Sequence, residues 1–142
     1  MARDLLHAAM LLMRGVAAEL RRTATKPLAP GQMSTLMKIA DGPCTLSRLA
    51  RHQAVSLPTV SRSVDMLVRR GLVERWNDKA DRRQTLVRLT PAGRDALADV
   101  RRRAEAYVHA KLDPLAPDSR QQLDAASQLL TGIFATPGDE RS

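Results

Sequence analysis

Two short stretches carry the residue types that could do chemistry, and in both cases the chemistry is hydrogen bonding to a polyanion. The first begins SLPTVSR at Ser56. Hydroxyls at Ser56, Thr59 and Ser61 can bond base edges or phosphates, a Thr methyl can meet the thymine methyl, and Arg62 can grip guanine with two parallel bonds. Pro58 shares their face. The second is the loop Asn77-Asp78-Lys79-Ala80-Asp81-Arg82-Arg83-Gln84. Lys79, Arg82 and Arg83 could reach phosphates or the negative potential of a narrow minor groove. DNA would repel Asp81 if it faced outward, so Asp81 is expected to pair with a nearby arginine and orient it. Without a particular context, both stretches would read equally well as solvated surface.

The flanking elements supply that context. At about 100° per residue, Val60, Val64, Leu67 and Val68 fall on one face of a helix opening at Ser56, and Pro58, Thr59, Arg62, Asp65, Met66 and Arg69 on the other, with Ser61 at the border. Gly71 supplies a left-handed stop. Thr45 can cap a shorter helix before it, with Leu46, Leu49 and Ala50 inward. A short helix, a turn and a second helix in this order is helix-turn-helix spacing, and the second helix of such a pair enters the major groove. Leu72–Trp76 and Thr85–Leu89 then read as strands of a hairpin with the basic loop at its tip.

Outside this core, apolar residues at helical spacing predict a first helix over roughly Asp4 to Thr25. A second opens at Pro30, with Met33, Leu36, Met37 and Ile39 as its buried side. Thr90-Pro91 starts a long fifth helix to about Leu115, and Asp118 or Ser119 a last one bearing Leu123, Ala126, Leu130, Ile133 and Phe134. The expected fold is mainly α with a small β-hairpin wing. Residues 28–93 would form the winged helix-turn-helix core, and 1–27 and 94–136 dimerisation helices, because these ends carry more apolar surface than a small core can cover. A two-fold dimer is the commonest closed assembly. Residues 137–142 read as a frayed tail.

Composition narrows the function. The chain has 142 residues, one domain's worth, and a formal charge of +8. Ten basic residues face four acidic ones between Thr45 and Thr90, and so concentrated a charge attracts a polyanion. Only Trp76, Tyr107 and Phe134 are aromatic, too few for the bulky apolar edge of a membrane-surface helix, so double-stranded DNA is the expected partner and no membrane is. No apolar run approaches the roughly 18 residues of a span, and Asp4, His7 and Arg14 interrupt the leader-like start. With Cys44 as the single cysteine, a reducing cytoplasm is expected. His7, His52 and His109 lack metal spacing, and there is no nucleophile–base pairing or Gly-rich phosphate loop. No cofactor, metal or catalytic residue is expected. Trp76 should pack the wing base against the body.

SLPTVSRSVDMLVRRGLVER followed by DKADRRQTLVRLTPAGR resembles the winged helix-turn-helix core of the multiple antibiotic resistance regulator (MarR) family. The matching positions are Pro58-Thr59-Val60-Ser61-Arg62, Leu67 to Leu72, Asp81-Arg82-Arg83 and Leu89 to Gly93. The match is specific over about residues 30–93; the flanking helices agree in number and order only. The resemblance implies a homodimeric DNA-binding regulator, most often a repressor, with Arg83 as minor-groove probe and Asp81 as its brace. It also implies a small aromatic or phenolic effector between the dimer helices and the core. Met10, Met13, Met33 and Met37 could line that cleft, since Met adapts to varied shapes, or serve as core filler. Relatives often carry Glu early in the third helix. This chain has Arg48, unfavourable at the positive helix end unless a phosphate lies nearby. Three other readings remain open: a winged-helix interaction module without DNA binding, a redox sensor using Cys44, and the dimerisation arm of a larger enzyme.

Overall fold

The computed structural model describes residues 1–135. Six helices and three short strands follow in the order α1 (Ala2–Thr23), α2 (Pro30–Lys38), β1 (Cys44–Thr45), α3 (Leu46–Gln53), α4 (Leu57–Arg69), β2 (Val73–Asn77), β3 (Thr85–Leu89), α5 (Pro91–Leu112) and α6 (Pro117–Phe134). The chain divides into two compact units, the first ending at Glu105 and the second starting at Ala106.

The core of the first unit is aliphatic. Leu36, Ile39, Leu49, Val60, Val64, Leu67, Val73 and Val87 are essentially inaccessible. α4 buries a narrower stripe than its pattern predicts. Val68 is exposed, because it lies about 80° round the helix from Val60, beyond the arc shared by Val60, Val64 and Leu67. α2 departs further. Its inner face holds Leu36 together with two polar residues, Gln32 and Thr35, whereas Met37 is on the solvent side. Both polar groups are satisfied, as burial requires. Gln32 Oε1 accepts from Ala29 N at 3.0 Å, Thr35 Oγ1 donates to Gly31 O at 2.9 Å, and Gln53 Nε2 donates to Thr35 Oγ1 at 2.7 Å, tying α2 to the end of α3.

The sheet is antiparallel in the order β1-β3-β2. Hairpin pairing sets Val73 against Leu89, Glu74 against Arg88 and Trp76 against Leu86. β1 adds Cys44 opposite Val87, a third strand that two residues of sequence give no means of detecting. β2 starts one residue later than expected because the stop of α4 consumes Leu72. Gly71 adopts φ 70°, its N–H bonds Val68 O at 2.9 Å, and Leu72 N bonds Leu67 O at 3.0 Å, the paired bonds of a Schellman stop.

The start of α5 locks onto that stop. Thr90 Oγ1 donates to Gly71 O at 2.6 Å and accepts from Gly93 N at 3.0 Å, while Thr90 N donates to Leu72 O at 3.1 Å. Gly93 lies so close that an added β-carbon would stand 1.9 Å from Leu72 O. The Leu-Thr-Pro-Ala-Gly run therefore clamps α5 to the corner between α4 and β2.

α1 has no buried residue, and Leu6, Met10, Leu12 and Met13 are exposed. The second unit holds the end of α5 and all of α6. α6 begins at Pro117 with Ala116 preceding it, ahead of the Asp118 or Ser119 start that the sequence suggests, because Pro at the first helical position needs no side-chain cap. Leu123, Leu129, Ile133 and Phe134 of α6 are likewise exposed. The tail expected over 137–142 lies outside the described residues.

Candidate nucleic-acid interface

α3 and α4 are each started by a hydroxyl. Thr45 Oγ1 accepts from Arg48 N at 3.2 Å, and Ser56 Oγ accepts from Thr59 N at 3.3 Å, satisfying amides that a helix start leaves without partners. Ala54 makes the turn between them in the left-handed region, at φ 52° and ψ 42°. Its N–H bonds Arg51 O, and Val55 N bonds Ala50 O. A non-glycine residue there is strained, and composition alone offered no sign of it.

On α4, Ser56, Pro58, Thr59 and Arg62 are exposed and Ser61 is half-buried at the edge of the apolar stripe. The Ser56 and Thr59 hydroxyls lie 2.8 Å apart, so the two present one hydrogen-bonding group to anything that approaches the helix start. Arg48 is exposed on the neighbouring helix.

In the wing the acids turn inward to backbone. Asp78 Oδ1 accepts from Ala80 N at 2.9 Å and Asp81 Oδ1 from Arg83 N at 3.0 Å. Gln84 closes the loop, its N–H on Asp81 O and its carbonyl accepting from Asp78 N, each at 2.9 Å. The expected pairing of Asp81 with an arginine side chain is therefore corrected. Asp81 holds the Arg83 peptide N–H, because so short a side chain reaches its own backbone two residues on more readily than a guanidinium.

Two links within α4 and the wing were not revealed by the sequence. Asp65 of α4 meets Arg75 of β2 at 2.5 Å. Glu74 pairs with Arg88 across the hairpin, and the Arg88 guanidinium lies 5.0 Å from the centre of the Trp76 ring. Trp76 is thus half-buried beneath a cation near the loop end of the hairpin, one pair from Asn77 and Thr85, and not at the wing base where the sequence suggested it. Strand register would have suggested the Glu74–Arg88 pair; no local spacing signals Asp65 with Arg75. These contacts use up the nearby acids. Among the described residues no ion pair engages Arg48, Arg62, Lys79, Arg82 or Arg83. A surface with several uncompensated cations and outward hydroxyls on one helix and one hairpin tip can bond the phosphates of a duplex.

A cavity of about 690 Å³ opens between α1, α2 and α5, with Met13, Leu20, Met33, Arg70, Val100 and Arg103 in its walls. Of the four methionines singled out from sequence, Met13 and Met33 line it. Met10 and Met37 stand exposed outside it, each on the solvent side of its helix. Cys44 is buried in β1 with Sγ 3.6 Å from Thr45 O, an environment that shields a thiol from oxidants. Among the described residues no three His, Cys, Asp or Glu side chains are placed to hold a metal, and no helix is long and apolar enough to cross a membrane.

A capped helix-turn-helix followed by a basic two-stranded tip defines a winged helix-turn-helix DNA-binding protein. The MarR family model matches residues 28–85. An uncharacterized HTH-type transcriptional regulator of Mycobacterium leprae is 31% identical over 136 residues, covering 94% of this chain and 92% of that protein. The crystal structure of RV1404 from Mycobacterium tuberculosis superposes with a TM-score of 0.80 at 28% identity, covering 96% of this chain and 92% of the other. A structure describing regulation of DNA binding of Bordetella bronchiseptica BpsR by 6-hydroxynicotinic acid gives 0.60 at 25% identity, with 90% and 98% covered. The chain belongs to the MarR family of transcriptional regulators. It is a DNA-binding regulator and not an enzyme.

Proposed function

We propose that the protein acts in the cytoplasm as a homodimeric repressor that binds a roughly palindromic duplex site and is released by a small aromatic or phenolic effector. The observation that carries this proposal is the set of uncompensated cations shared by α4 and the wing. Each copy lays Ser56 to Arg62 in a major groove, where Thr59, Ser61 and Arg62 select bases. Arg82 and Arg83 enter the adjoining minor groove, with Asp81 holding the Arg83 backbone in place, while Lys79 and Arg48 meet phosphates. A good bidentate arginine–guanine pair discriminates by about 1–3 kcal/mol.

The exposed apolar residues of α1 and α6 support the dimer, since unpartnered stripes of this kind mark association surfaces. Two-fold pairing then dictates a two-fold site. Repression follows from occupancy, because a dimer lying over promoter DNA excludes other proteins. The cavity beside Met13 and Met33 has the size of a small-molecule site, and the BpsR relationship supports regulation by a small ligand.

Selection of bound duplexes from a random library tests the proposal. An inverted repeat should emerge, with half-sites about one helical turn apart. If no duplex is retained even at low ionic strength, the chain is an interaction module that kept the fold; if Arg83→Ala leaves duplex binding intact, the wing arginine is not the minor-groove contact.

A further inference from the structure

The C-terminal end of α1 and the connection that follows are held by two guanidinium groups. From α5, Arg103 donates to Thr23 Oγ1 at 2.9 Å and Leu20 O at 3.4 Å, with its Nε fixed on Asp99 at 2.8 Å. From the other side, Arg70 Nη2 donates to Lys26 O at 2.6 Å and Nη1 to Pro27 O at 3.3 Å. Arg70 caps the C-terminus of α4, directly before Gly71. The capping residue of the reading helix is thus bonded to the segment that connects α1 to α2. No residue of α1 is buried, so apolar packing alone does little to fix that helix against α4.

The bonds suit a strap. A helix end and a Pro-broken connection leave carbonyls without helical partners, and the fork of an arginine can hold two acceptors at a set angle. Folding of α4 does not depend on them: its cap at Ser56, its stripe of Val60, Val64 and Leu67, and its Gly71 stop are all independent of Arg70.

We propose that Arg70 is a positioning residue that fixes the reading helix against α1 and thereby sets the distance between the two reading heads when the α1 helices of two copies pack together. The inference rests on the dimeric reading proposed above. Arg70 acts through main-chain carbonyls and makes no contact with DNA. Arg103 anchors the opposite side of the same segment.

Two measurements on the full chain, with Arg70→Gln and Arg70→Lys, test it. The first places nitroxide labels at Arg14→Cys and Arg69→Cys in a Cys44→Ser background, diluted with unlabelled chain so that only distances within one copy are read. The parent should give one narrow distance, Arg70→Gln a distribution at least about twice as wide, and Arg70→Lys an intermediate one. Unchanged width overturns the strap, whatever becomes of DNA binding. The second compares the selected inverted repeat with versions carrying one or two base pairs inserted between half-sites. The parent should prefer its own spacing by about tenfold and Arg70→Gln by about threefold or less. The slope of log affinity against log salt should not change, because no phosphate contact is lost. A slope reduced by about one with spacing preference intact assigns Arg70 to a phosphate and overturns the proposal. If the parent itself ignores spacing while the labels spread in Arg70→Gln, the strap stands, but the dimeric reading fails and with it the role in setting the span.

Discussion

Asp65 on the reading helix and Arg75 on the first wing strand face each other at 2.5 Å, with relative exposures of 35% and 42%. Ion pairs this accessible contribute about 0–1 kcal/mol to folding, so the contribution expected here is geometric: the pair links α4 to the hairpin and, under the proposed mode of binding, sets the angle between helix and wing. Asp65→Asn should change the free energy of unfolding by no more than about 1 kcal/mol. Removing an acid near DNA favours any duplex, so total affinity is the wrong readout. Discrimination between the selected site and a scrambled duplex should fall roughly fivefold, or about 1 kcal/mol. Titrations of both duplexes check this, and the swap Asp65→Arg with Arg75→Asp should recover part of the loss. Unchanged discrimination in Asp65→Asn would mean that packing alone aligns helix and wing.

Arg83 is expected to carry more of the binding than any other wing residue. Arg83→Ala should weaken the selected duplex by about tenfold and reduce the salt slope by about one. Asp81→Ala should weaken it less and leave the slope near the parent value, because Asp81 supports the Arg83 peptide N–H at 3.0 Å and touches no phosphate. Fluorescence anisotropy at several salt concentrations separates the two outcomes.

Gly93→Ala forces a β-carbon to within 1.9 Å of Leu72 O, 2.9 Å of Leu72 C and 3.1 Å of Leu89 Cδ2. The nearest atoms belong to backbone that the Gly71 stop and Thr90 already hold, so relief requires moving α5. A destabilisation of about 1–3 kcal/mol, the usual cost of overpacking, should appear in chemical denaturation. A midpoint equal to the parent's would show that the α5 start is free to shift.

Ala54→Gly should have the opposite sign. At φ 52° the alanine β-carbon is unfavourable by about 1–2 kcal/mol, and glycine removes that strain while adding roughly 0.4–1 kcal/mol of unfolded-state entropy. A net gain of between about 0 and 1.6 kcal/mol is expected in chemical denaturation, with DNA affinity retained because Ala54 lies in the turn and not on the exposed face of α4.

Most of the architecture was legible because caps and breakers are local. Thr45, Ser56, Gly71 and Thr90-Pro91 each announce an element boundary through their own bonding. The exposed face of α4 was legible too, since a stripe of Val60, Val64 and Leu67 leaves only one side for Pro58, Thr59 and Arg62. What escaped was contact across distance. Asp65 with Arg75, Arg70 with the Lys26 and Pro27 carbonyls, and Gln53 with Thr35 join residues whose spacing follows no period. β1 was invisible because two residues make no pattern. The cavity kept Met13 and Met33 and lost Met10 and Met37 because methionine suits surface and interior alike, and composition does not choose between them.

Sedimentation of the chain with a labelled duplex carrying the selected site bears most directly on the claim that two copies read one stretch of DNA. At low ionic strength the complex should contain two chains per duplex, and the free protein should already sediment as a dimer. A monomer that binds one chain per duplex, or a duplex that sediments alone at every protein concentration, would contradict the account.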